Sequence, residues 1–156
     1  MPRPDAGLEV ALEQRRRVLE EKQQALSECE RSVLAAAERV SAAQNRVRHV
    51  LGQLEAAQQP RPGQGLAVAV LGDLERLLRW CDEQVVSEQA RLATVRAEAD
   101  AARGDVAAAH QQVRALELVL EARAAERAER QRRAELRLAD ETAAGVHSRK
   151  LAKPKP

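Results

Sequence analysis

The sequence predicts an all-α fold: a long antiparallel two-helix coiled-coil hairpin with an overhanging C-terminal helix. Three observations carry that reading. Leu12, Leu19, Leu26, Val33, Val40, Val47 and Leu54 stand at one seven-residue spacing and are all apolar. So do Leu71, Leu78, Val85, Leu92, Ala99, Val106, Val113 and Leu120. Between the two series lies Gln59-Pro60-Arg61-Pro62-Gly63-Gln64-Gly65, a strong turn signal. Two sustained heptad seams joined by a breaker form one helical hairpin.

Composition agrees with a thin seam. The chain has 156 residues, one Trp and no Phe or Tyr, and 32% of its residues are charged. Aromatic side chains normally supply much of a globular core, so a thick interior with room for an enzyme site is not expected. Net charge is +2, unevenly spread. Residues 121–156 hold 10 basic and 6 acidic side chains, whereas residues 1–120 hold 16 basic and 18 acidic. The C-terminal part is therefore basic and the body slightly acidic. No apolar run reaches the length of a transmembrane helix, and Met1-Pro2-Arg3-Pro4-Asp5 lacks the apolar stretch of a signal peptide. A soluble cytoplasmic protein is expected.

The elements follow in order within a single domain, 1–156. Asp5 reads as the N-cap of a first helix spanning about 7–58. Residues 59–65 form the turn, and a second helix covers about 66–143, with Gly145 as its stop. Residues 145–156, basic and Pro-containing, read as a disordered tail.

With the first apolar series at heptad position a, position d holds Leu8, Arg15, Lys22, Cys29, Ala36, Ala43 and Val50. In the second helix d holds Leu74, Cys81, Glu88, Val95, Ala102, Ala109 and Leu116. An antiparallel register in which facing numbers sum to 128 gives every layer an apolar member, from Leu54–Leu74 to Leu8–Leu120. Layers near the turn pair Leu with Leu and Val. Toward the termini they rely on Ala, Arg15 and Lys22, so that half is expected to pack more loosely. Beyond Leu120 the second helix has no partner, and Glu126–Arg130, Glu129–Arg133 and Arg137–Glu141 are i,i+4 pairs that support it.

Catalytic and metal chemistry find no constellation. Cys29 and Cys81 fall in layers about 27 Å apart, too far for a disulfide, and read as free seam residues. His49, His110 and His147 are scattered, and no cofactor, metal or small-molecule substrate is expected. Glu88 faces Val40 in the seam, either as a carboxylate reaching solvent or as a packing defect that marks a contact site or fixes register.

Trp80 falls outside the seam, beside Val70 and Leu77, and the three make an apolar strip near the turn. The strip either packs against the first helix or loop, or docks a protein partner. Arg123, Arg127, Arg130, Arg132, Arg133 and Arg137 surround the overhang with interleaved Glu. They are either a solvated helix surface or a docking arm for an acidic protein. The acids dilute the positive charge that nucleic acid needs, and no apolar face suits membrane insertion.

The segment Arg132-Arg133-Ala134-Glu135-Leu136-Arg137-Leu138-Ala139-Asp140-Glu141-Thr142-Ala143 resembles the C-terminal pattern of the FliJ family of flagellar export proteins and its type III secretion relatives of the YscO type. Leu77-Leu78-Arg79-Trp80-Cys81-Asp82-Glu83-Gln84-Val85 is a weaker echo. The resemblance implies a non-enzymatic export component shaped like the coiled coil of a rotary ATPase γ subunit. Its implied partners are the hexameric export ATPase, the membrane export gate and export chaperones, and its place is the cytoplasmic face of the inner membrane. It also implies a gate-contacting face at Leu77, Cys81, Gln84 and Glu88, from which this sequence departs in its polar Gln84 and Glu88. The free protein is expected to be a monomeric rod. A structural homo-oligomeric coiled coil is the alternative, and a virulence-type secretion component or a nucleic-acid-binding coiled coil are further ones.

Overall fold

The computed structural model describes residues 3–60, 62–63, 65 and 67–153. Among them the protein is all-α, with no strand: α1 spans Ala6–Gln58 and α2 spans Val68–Leu151. The two long helices pack against each other as a hairpin. Gly63 in the connection has a φ of 82°, a left-handed conformation that glycine adopts without steric cost. Arg61, Gln64 and Leu66, which belong to the expected turn and helix start, lie outside the described residues, as do residues 154–156 of the expected tail.

The chain divides into two compact units, Val18–Ala109 and Met1–Arg17 with His110–Pro156. In Val18–Ala109 the core is a cluster of Ala36, Val40 and Leu92, with Val33, Ala37 and Val95 packed against it. Ala36 is fully buried. These residues are the expected layers Ala36–Leu92 and Val33–Val95, so the register summing to 128 is the observed one. Ala43, Val50, Cys81, Ala99 and Ala109 are also buried. Leu54, Leu74 and Leu78, the large residues expected to pack best near the turn, are only half-buried. Large side chains near the turn are therefore not buried more completely than the small residues Ala36, Ala43 and Ala99 farther along the seam.

In the other unit Leu12 and Val113 are the buried apolar residues among those described. Asp5, one heptad before Leu12, is buried with them, although it carries a charge.

Three features differ from expectation. First, α2 runs through Gly145 to Leu151, where the sequence predicts an end near 143 and a disordered tail over 145–156. Gly145 keeps a helical, negative φ, and Arg149 and Lys150 in the last turn complement the helix dipole, so the glycine costs propensity without stopping the helix. Second, Asp5 holds the N-cap position only with its backbone: its carbonyl accepts the Glu9 N–H at 2.9 Å, while its side chain turns away to α2. Third, Arg15 and Lys22 are exposed and contribute little to the seam, although the Arg15 guanidinium donates to Gln112 Oε1 at 2.9 Å.

Candidate functional site: an apolar strip and a basic arm

Each helix places its candidate residues by the angle they make with the seam. Leu78 and Cys81 point inward, so Val70, Leu77 and Trp80 on the adjoining positions are left outside. They are 49%, 41% and 51% exposed, so neither α1 nor the connection encloses them. Cys81, by contrast, is only 3% exposed, and a thiol held in the seam presents no surface to a partner. It leaves the candidate contact set. Both cysteines are free, Cys29 half-buried and Cys81 buried.

Gln84 and Glu88 are half-buried on the same helix. Glu88 Oε2 lies 3.8 Å from Arg39 Nε, and its Oε1 lies 3.7 Å from Arg91 Nη1. Those are ion pairs too long for good hydrogen bonds, and Oε2 is buried with no hydrogen-bond partner among the described residues. The carboxylate neither escapes to water nor is fully satisfied, which makes it a weak layer of the seam.

The six arginines of the arm do not act alike. Arg123 Nη1 donates to Asp5 Oδ1 at 3.2 Å, and Arg127 Nη1 donates to Asp5 Oδ2. Arg130 pairs with Glu126 at 3.6 Å, and Arg132 and Arg133 both pair with Glu129, at 2.7 and 2.9 Å. Arg137 makes no ion pair among the described residues, so the expected Arg137–Glu141 pair is absent there, while the other two expected pairs form. Burial pushes the Asp5 carboxyl up, but hydrogen bonds and charge from Arg123 and Arg127 outweigh it and hold the group below its ordinary value. Glu117 is also held low, first by its hydrogen bond from Arg16, at 3.0 Å, against a smaller opposing effect of burial.

Two features escape the heptad reading of the sequence. One is the Asp5 clasp, whose signal is present: carrying the register one layer past Leu8–Leu120 sets Asp5 against Arg123. The other is an exposed, largely apolar strip on the last part of α2, where Leu138, Ala139, Thr142, Ala143 and Val146 share one face of the helix, flanked by Glu135 and Lys150. Heptad counting overlooks it because these residues leave the seam and follow the helix at three- and four-residue steps.

Among the described residues no helix is long and apolar enough to cross a membrane, and no group of three or more His, Cys, Asp or Glu could hold a metal. A family model described as "Flagellar FliJ protein" matches residues 8–152. No curated protein and no solved structure matches the chain.

Proposed function

We propose, for a chain that belongs to the FliJ family and is thereby a component of flagellar protein export, that it works by docking two partners through two different surfaces. The family is a non-catalytic one, so the work is recognition rather than chemistry. The export gate is taken by the strip Val70, Leu77 and Trp80, bordered by Gln84 and Glu88. The hexameric export ATPase is taken by the arm from Arg123 to Arg137. Chaperones delivering export substrates engage the protein while it is held there, and these contacts keep it at the cytoplasmic face of the inner membrane.

One observation carries the reading: Trp80, the chain's single tryptophan, is half exposed beside two other exposed apolar side chains. A tryptophan left in water gains most from burial against a partner, and tryptophans dominate the energy of many interfaces. Replacing Trp80→Ala should leave helicity by circular dichroism unchanged. Binding to the cytoplasmic part of the gate should weaken about 30-fold, the equivalent of about 2 kcal/mol. Unchanged gate binding would sink the proposal, and loss of helicity would make Trp80 a packing residue instead.

A further inference from the structure

Five of the six arm arginines are already paired within the chain, and the pairs differ in kind. Glu126 and Glu129 serve Arg130, Arg132 and Arg133 from the same helix across exposed i,i+3 and i,i+4 contacts. Pairs of that sort are worth a fraction of a kcal/mol and yield readily to a competitor. Asp5 comes instead from the turn that leads into α1, and its side chain is only 7% exposed. Arg123 and Arg127 stand one helical turn apart and donate to different oxygens of its single carboxylate. That arrangement is a carboxylate receptor, and Asp5 fills it.

We infer that Asp5 is an internal stand-in for an acidic side chain of a partner, and that a carboxylate-rich protein surface docking at Arg123 and Arg127 displaces the turn carrying Asp5. The inference rests on the reading of the arm as a protein-docking surface. The turn is lightly held: the Ala6 N–H donates to the Arg3 carbonyl at 3.1 Å, and Arg3 and Pro4 are exposed. Among the described residues α1 has no fully buried apolar side chain before Leu12, although Ala6 and Leu8 are half-buried. The arginines are about half exposed, 50% and 48%, so a competitor can approach from solvent.

Exchanging one carboxylate for another changes few hydrogen bonds, so the tether decides the contest. A tethered group has an effective concentration of roughly millimolar, which a lone carboxylate cannot match. A partner with several carboxylates can, because Arg130, Arg132, Arg133 and Arg137 follow on the same helix. The arm is therefore selective for extended acidic surfaces and closed to single acids.

The test uses the full chain and a fluorescein-labelled decaglutamate peptide at low salt, read by anisotropy. Asp5→Asn should bind it about tenfold more tightly than the unaltered protein. Glu9→Gln, which changes net charge equally, should gain less than about twofold. Asp5→Glu should behave as the unaltered protein, and adding Arg123→Gln and Arg127→Gln to Asp5→Asn should abolish the gain. Circular dichroism checks that each variant keeps its helicity, and peptide added to the unaltered protein should speed amide exchange at residues 6–9. Equal gains for Asp5→Asn and Glu9→Gln, or a gain that survives loss of both arginines, would overturn the inference. ATPase co-purification is read separately: if the peptide results hold and the ATPase does not bind, the clasp stands and the arm's proposed partner falls.

Discussion

In the unit Val18–Ala109, α1 and α2 meet mainly through apolar side chains: Ala36, Val40 and Leu92 form its core, and the long Arg39–Glu88 and Arg103–Glu30 pairs, at 3.8 and 3.7 Å, are the exceptions. In the unit that joins Met1–Arg17 to His110–Pro156, Leu12 and Val113 are buried, but the named bonds between helices are polar. Asp5 joins Arg123 and Arg127, Arg16 joins Glu117, and Arg15 joins Gln112. One seven-residue rule thus produces two kinds of adhesion. Apolar contact is indifferent to acid and is not screened by salt, whereas ion pairs respond to both. Acid and salt are therefore expected to weaken the contacts of the second unit before those of the first.

Leu92, at the centre of the apolar cluster, is 8% exposed and packs with Ala36. Leu92→Ala should destabilise the hairpin by about 2–4 kcal/mol, because small Ala36 opposite it cannot fill the space left. Urea unfolding followed by circular dichroism measures this. A loss under about 1 kcal/mol would mean that the apolar cluster does not hold its unit together.

Glu88→Leu should move the stability of the same unit in the opposite direction. The buried Oε2 has no hydrogen-bond partner among the described residues, and a leucine would complete the seam beside Val40. A gain of about 1 kcal/mol is expected in the same unfolding measurement. If instead stability falls, the Arg39 and Arg91 contacts matter more than their lengths indicate.

Much of this is legible because heptad packing is a local rule. Every predicted seam position except Arg15 and Lys22 is buried or half-buried, from Leu8 to Leu54 and from Leu71 to Leu120. The two exceptions are long cations whose heads seek water, and no apolar face compensates for pulling them inward. What pattern does not decide is the direction of a polar side chain. Asp5 has a local use, capping its own helix, and a distant one, binding two arginines. Charge-assisted bonds to Arg123 and Arg127 win, since one carboxylate satisfies both. Gly145 shows the converse limit, because a residue that permits a helix stop does not impose one. For the docking surfaces, sequence supplies the candidate strip at Val70, Leu77 and Trp80, whereas Cys81, which only the family resemblance added to the contact face, is buried at the seam position that the heptads assign it.

The smallest expected effect is the one that separates the two units by acid. Asp5 and Glu117 have carboxyls held below their ordinary values of 3.8 and 4.5 by arginine partners. A carboxyl held low when folded binds fewer protons than when unfolded, so it contributes stability above its unfolded value. That contribution is lost as pH falls from the ordinary values through the lower folded ones. The groups facing these carboxyls are Arg123 and Arg127 at Asp5, and Arg16 and Arg114 at Glu117, with Glu121 sharing Arg114. Acidification from about pH 6 toward about pH 3 should therefore loosen amide protection at residues 6–16 before it affects residues 33–40. Raising salt toward about 1 M should act in the same order by screening the exposed arginines. Simultaneous loss in both segments would mean that the ion pairs add nothing local, and that the hairpin opens only as a whole.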